Sequence, residues 1–362
     1  MGRKEWQTMT NYPDYISPKR VPVETPEAIV ENGQAHFGTF LTPFKSLNLL
    51  DCEKPCGEWM PDCMKKGRLT EWEAFELHFD EGMLVSAVYD TGLLGFSIFV
   101  WFDKRDKKIY AWKNFVPVKK AKVAEQLIDG ECYLKTDASE FTIINDLANG
   151  KAHAIGYSEG KAGRFELDVT VDRLSPPSIV SIPFGANKPL YSEKDFLKAE
   201  GYVIVNGEKF VTNERSVSII DDHKGYYPYR AHYDWLTTMG DIEIDGKMQK
   251  FAFNLTRNQS LNQDDYNENL IWVEGKSYPL PPVVFTKDSR KASTWYIRDE
   301  YGKVDLRFEI DNVFYMHMHL IAINVYYALP FGRIYGKLED TEGRVYTLDG
   351  MFGIGEDKST RM

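Results

Sequence analysis

No apolar run in this 362-residue chain approaches the roughly 18 residues of a membrane-spanning helix, and the longest, 93–101, has only strand length. The opening MGRKEWQTMTNYPDY has basic residues but no apolar stretch behind them, so a secretory signal is not expected, and Gly2 lacks the Ser/Thr context of myristoylation. A cytoplasmic location without an integral membrane segment is the default expectation. Positive charge is also short. Against 54 Asp+Glu there are 44 Lys+Arg, a net charge of -10, which repels phosphate backbones and argues against nucleic acid as a partner. No GxGxxG opens a helix, and no GxxxxGK[ST], GxSxG or HExxH occurs, which argues against the common nucleotide-binding, hydrolase and zinc-protease classes. Only four cysteines are present. Cys52, Cys56 and Cys63 crowd into DCEKPCGEWMPDC, whose spacing matches no standard zinc knuckle. His36 could add a fourth ligand, but nothing in the spacing demands it, and reduced thiols on a loop are the favoured reading.

What the chain has in surplus is aromatic side chains, at 14%. They suit β-structure and apolar or sugar-stacking cavities. From Leu69 onward, short segments alternate apolar and polar residues, among them 71–79, 84–90, 94–102, 164–172, 178–184, 209–213, 250–255 and 304–311. Period two predicts strands. X-Gly pairs such as Asn149-Gly150, Asn206-Gly207 and Asp245-Gly246 suit tight hairpins. Many short strands with turns between them predict an all-β antiparallel sandwich or barrel. A short helix is expected over 118–128, and 191–201 is ambiguous. Residues 1–65, rich in Pro, Gly, Asn and Cys, read as an irregular extension that wraps a domain. The Pro-containing stretch from Ser175 to Pro189 places a boundary near 185–190, giving β-domains over 66–187 and 188–362.

Several motifs are familiar together. They are Gly67-Arg-Leu-Thr-Glu-Trp72, Ile182-Pro-Phe184, the stretch Ile220 to Leu236, Phe251-Ala-Phe-Asn254, Glu268-Asn269-Leu270, Pro330-Phe-Gly-Arg333 and Phe352-Gly-Ile-Gly-Glu356. In order and spacing they resemble the bacterial family known as domain of unknown function 2804, over about four fifths of the chain. The resemblance implies two lipocalin-like β-barrels in tandem and distant kinship with carotenoid 1,2-hydratases and lipocalin-like cyclases. Those relatives bind long apolar substrates in a barrel cavity and use acid–base chemistry without a cofactor, an analogy at the level of fold. The sequence departs from the pattern at Asp222-His223-Lys224, where the family usually has Trp-Gly-Arg, and at Ala328-Leu329, where a His-Gln pair is common.

Read as one strand, 226–235 puts Tyr227, Tyr229, Ala231, Tyr233 and Trp235 on one face and Arg230, His232 and Asp234 on the other. The aromatic face could line a dry barrel interior or pack on the neighbouring domain; the charged trio could be catalytic or a surface ion-pair group. Asp221 occupies the family's Asp position. In an apolar barrel mouth desolvation would raise its pKa and let it protonate an alkene or enol; otherwise it caps a turn. Glu268 is a second candidate acid or base. Asn254 and Asn269 could orient a ligand or hold loop backbone, and Arg333 could meet an acidic head group or pair with Glu356. His317 and His319 share one strand face, with no third metal ligand visible. The expected function is binding of a hydrophobic small molecule, with cofactor-independent hydratase, isomerase or cyclase chemistry. A non-catalytic carrier, in which Lys or Arg neutralises any buried acid, and a carbohydrate-active β-protein are the alternatives. The oligomeric state is open.

Overall fold

The structure, a computed structural model, describes residues 12–117, 120–273, 275–319 and 324–361. Gly2 and the first two residues of the 118–128 segment lie outside them. Strand accounts for 62% of the chain, so the class is all-β, and the chain forms a nearly closed barrel and a half-barrel sheet. The first sheet runs Lys108–Pro117, Leu94–Asp103, Gly82–Asp90, Leu69–His78, Val217–Tyr226, Pro189–Val205, Gly163–Arg173, Lys151–Gly160, Ser139–Asp146, Glu131–Thr136 and Ala121–Lys122. In the second, Arg230–Ile244 lies between Lys247–Arg257 and Val345–Arg361, and Asn324–Glu339 and Val304–His319 follow the latter. The pairings within these ladders are antiparallel.

Sheet membership changes at 227–229, not near 185–190. Pro183 and Pro189 close a hairpin between Ser178–Pro183 and Pro189–Val205, with Phe184 N–H donating to Lys188 O at 2.8 Å. The two prolines do not mark a linker, because both flanking strands stay in one ladder. The expected helix over 118–128 is also absent among the described residues. Ala121–Lys122 is a short strand, Ala124 and Leu127 sink into the first core, and the Gln126 side chain accepts from the Ile128 backbone N–H, closing a local turn in competition with helix. The ambiguous 191–201 segment lies wholly within the long strand Pro189–Val205.

The N-terminal extension wraps the first sheet. Its strand Gly38–Phe40 pairs with Ser178–Pro183, and Phe40 and Phe44 pack with Tyr191 and Tyr226. Two cores fill the concave sides of the sheets. Phe75, Leu77, Phe99, Trp101, Phe141 and Phe165 belong to the first, and Leu236, Phe251, Phe253, Trp295 and Phe308 to the second. A third apolar cluster lies between the sheets, where Trp72, Ala74, Tyr89 and Ile98 meet Trp235, Tyr327, Leu329 and Ile354.

Candidate functional site

The cavity lies in that third layer, between the sheets and not inside either barrel. It measures about 120 Å³, roughly ten times the space a single water requires, and its walls are mostly apolar and aromatic. This corrects the expected interior location. The aromatic face of the second half turns toward the neighbouring barrel, because the concave sides are already filled by their own cores.

Strand alternation sorts the wall. Leu69–His78 turns Trp72, Ala74 and Glu76 to the cavity, Pro189–Val205 turns Leu190 and Lys194, and Val217–Tyr226 turns Asp221 and His223. Register brings them together: Lys194 pairs across with Asp221, Ser192 with His223, and His223 with Trp72. Four charged groups therefore converge. Lys194 Nζ donates to Asp221 and lies 2.9 Å from His223 Nε2 and 3.3 Å from Glu268 Oε2. His223 Nε2 is 3.1 Å from Asp221 Oδ1 and 3.2 Å from Glu268 Oε2. Ser192 Oγ donates to Glu268 at 2.9 Å. Either Lys194 donates to a bare Nε2, or a protonated Nε2–H donates to the carboxylates, so one proton has two adjacent resting places.

Their charges follow from this geometry. Burial pushes Asp221 up, but Lys194 and then His223 outweigh it and hold the carboxyl below its usual range. Burial is likewise overcome at Glu268 by Lys194 and His223, leaving it well below. Burial and Lys194 disfavour the imidazolium of His223, yet Asp221 and Glu268 prevail and raise it. The raised pKa expected for Asp221 is thus not found. On the cavity wall it occurs instead at Glu76, not singled out from sequence, and at Glu356, expected from sequence only as a partner for Arg333. Glu76 is raised well above the normal range by burial and then by Asp221, and among the described residues it has no ion pair; its Oε2 is buried without a partner there. Glu356 is raised by burial against the opposing pull of Lys358, and accepts a hydrogen bond from the Tyr327 hydroxyl.

The aromatic wall is stacked. Trp72 lies 4.8 Å from the His223 ring at 10°, 5.2 Å from Tyr89 and 5.7 Å from Tyr227. Opposite it, Tyr233 and Trp235 project from Arg230–Ile244 into the same space. Tyr229, expected beside them, is 58% exposed and outside the wall. Pro228 is the reason. It cannot donate to a ladder, so residues 227–229 are unpaired and the alternation restarts at Arg230.

Asp221 and Glu268 are brought together, and Tyr227, Tyr233 and Trp235 line the same cavity. The other expected ligand residues are spent elsewhere. Asn254 accepts from Trp235 Nε1 at 2.6 Å and donates to the Glu268 carbonyl at 3.0 Å, so it supports the wall from behind. Asn269 accepts from Thr256 N–H and donates to Pro281 O. Arg333 donates to Gly350 O and lies over Phe352 at 4.1 Å; its expected pairing with Glu356 is replaced by Tyr327. A residue of the extension does what these do not. The Arg20 guanidinium donates to the carbonyls of Asn267 at 2.5 Å and Asn269 at 2.7 Å, gripping the backbone on both sides of Glu268.

Of the charged trio, His232 and Asp234 stay in contact, with Nε2 3.3 Å from Oδ2. Arg230 and His232 are exposed, whereas Asp234 is buried and receives Lys287 at 2.5 Å. His232, Asp234 and Asp357 are grouped closely enough to ligate a metal ion, but Lys287 also bonds Asp357 at 2.7 Å and already supplies a cation between the two carboxylates. His317 and His319 are exposed and join no such group among the described residues, while Met316 and Met318, alternating with them, face the cavity. Cys52 is buried and donates to Asn187 O at 3.2 Å, Cys56 is half-buried and Cys63 exposed; His36 faces Glu31 instead. No helix among the described residues is long and apolar enough to cross a membrane.

The sequence matches the family described as domain of unknown function, DUF2804, over residues 22–362. The chain belongs to that family. No curated protein matches it at the level of sequence. Among solved structures it is similar to CghA, at 9% identity and a TM-score of 0.51, covering 80% of this chain and 88% of that one. CghA with Sch210972 gives 8% identity and a TM-score of 0.52, covering 82% and 89%. Kievitone hydratase from Nectria haematococca matches at 12% identity and a TM-score of 0.48, covering 80% and 88%. At these identities the CghA likeness establishes the lipocalin-like fold alone.

Proposed function

We propose that this DUF2804 protein binds an apolar small molecule between its two sheets and catalyses proton-initiated addition or ring closure on it without a cofactor. One observation carries the reading: Glu76 is a buried carboxyl that faces an aromatic cavity with its Oε2 unpartnered among the described residues, raised well above the usual carboxylate range by burial and Asp221 against the weaker pull of Lys194. Such a group can deliver a proton to an alkene or enol carbon. The stacked faces of Trp72, Tyr89 and Tyr227 stabilise the cation that forms. Asp221 and Glu268, kept ionised, take the proton released when water adds, and His223 with Lys194 relays it back toward Glu76. CghA shares the architecture, but the reading rests on the cavity.

A carrier reading draws on the Lys194–Asp221 pair, the neutralised acid that a passive binding site would hold. Glu76 is what favours chemistry. Infrared difference spectra of wild type against Glu76→Gln test the first step: the wild type should show a protonated carboxyl band at neutral pH that the variant lacks. Incubated in D2O, an olefinic guest should gain deuterium with wild type and not with Glu76→Gln. Equal exchange by both proteins would remove Glu76 as the acid, and no exchange by either would leave only the carrier.

A further inference from the structure

A smaller chamber of about 20 Å³ opens beside the main cavity, with Lys358, Thr70 and Thr360 in its wall together with Trp72, Tyr227, Ala231 and Tyr233. Lys358 belongs to Val345–Arg361, where the register places it directly across from Tyr233 on one side and Tyr327 on the other. Its ammonium lies 4.8 Å from the Trp72 ring centroid, 5.4 Å from Tyr233 and 5.9 Å from Tyr327. Ring faces hold a cation in place but supply no counter-charge. The other two cations of the cavity wall, Lys194 and His223, are each matched by Asp221 and Glu268. Lys358 makes no ion pair or hydrogen bond among the described residues; Glu356, two positions away, acts on it only at longer range and gives its Oε1 to Tyr327. Thr70 and Thr360 are buried residues whose hydroxyls likewise have no hydrogen-bond partner among the described residues.

We infer that this chamber is a head-group site in which Lys358, Thr70 and Thr360 take a carboxylate or enolate oxygen, so that the guest of the cavity is an amphipathic acid. The size fits: about 20 Å³ holds one or two water-sized groups, the bulk of a carboxylate. The chemistry fits as well, since one cation and two free hydroxyl donors match the lone pairs of an anionic oxygen pair. The main cavity then receives the apolar body. The inference rests on the proposed use of that cavity for an apolar molecule and adds the class of molecule.

Calorimetric titration with 2-naphthylacetic acid and its matched alcohol, 2-(2-naphthyl)ethanol, tests it on the full chain. The wild type should bind the acid about tenfold or more tighter than the alcohol. Lys358→Met should remove that preference while leaving alcohol affinity within about twofold, and Lys358→Arg should retain it. Thr70→Val with Thr360→Val should weaken the acid selectively. Equal affinity of wild type for both probes, or a preference surviving in Lys358→Met, overturns the head-group site while leaving the apolar cavity standing. Failure of both probes to bind the wild type brings down the cavity reading and this inference with it.

Discussion

Lys194 and His223 hold their side-chain nitrogens 2.9 Å apart, with Asp221 and Glu268 on either side of them. Two groups able to carry positive charge approach this closely only because two ionised carboxylates share them. Removing one member leaves buried charge uncompensated. Lys194→Met should therefore cost about 3–5 kcal/mol in urea unfolding. Adding Glu268→Gln to it should restore part of the loss, because the cycle removes the orphaned carboxylate. Strict additivity of the two changes would mean that the four groups do not act together.

Arg20 reaches from the extension to the carbonyls of Asn267 and Asn269. Arg20→Ala should cost about 1.5–3 kcal/mol for each carbonyl left alone. Amide hydrogen exchange should rise selectively over 267–269, while the far strands of the first sheet keep their protection. Uniform loss of protection would assign Arg20 to general packing instead.

The other face of the same strands carries Glu73 and Glu193 into the first barrel. Burial pushes Glu73 up to about 7, with Asp222 adding to it, and Cys132 and Asn145 donate to its Oε2. Burial and then Asp195 push Glu193 up to about 8. In both, the folded protein binds a proton that the unfolded chain, with a carboxyl near 4.5, releases. Stability is therefore greatest below that value and falls as pH rises through the folded value, by up to about 1.4 kcal/mol per pH unit per group. His78, depressed by burial, acts in the opposite sense, so the clean readout is a comparison. Glu73→Gln and Glu193→Gln should each flatten the thermal midpoint's decline between pH 5 and pH 7 relative to wild type. Parallel profiles would show that neither group titrates there.

Gly225 is the penultimate residue of the strand that bears Asp221 and His223, opposite Leu190. A Cβ there would come within 2.7 Å of the Pro189 carbonyl and 2.8 Å of the Leu190 Cα, backbone atoms that cannot withdraw. Gly225→Ala should cost about 1–3 kcal/mol and displace His223. Gly160→Ala, whose Cβ would meet only Trp112 at 3.5 Å, is the control and should be near neutral on thermal unfolding.

Much of this was legible in the sequence. Period two gave the strands, and the family motifs gave the lipocalin-like pair. Asp221, Glu268, Tyr227, Tyr233 and Trp235 do share one cavity. Tyr229 was misplaced because one proline resets the alternation that its neighbours obey. Glu76 was missed because Leu69–His78 is buried on both faces. With Glu73 on one side and Glu76 on the other, the pattern carried no sign of which was dry. Lys194 was hidden in a segment whose charges suited a helix as well as a strand. His223 was noticed, but as a departure from the family pattern; only cross-strand register puts it beside Trp72 and Lys194. Lys358 had no local signal at all, since its cage is assembled from four separate strands.

The two walls of the cavity belong to different ladders that share no backbone hydrogen bonds in their strand order. Whatever occupies the gap is mortar between two bricks. Its affinity is distributed over both, so saturation should draw separate melting steps into one and raise it with the logarithm of concentration. Occupancy would then be readable as a gain in cooperativity, before any product or spectrum is known.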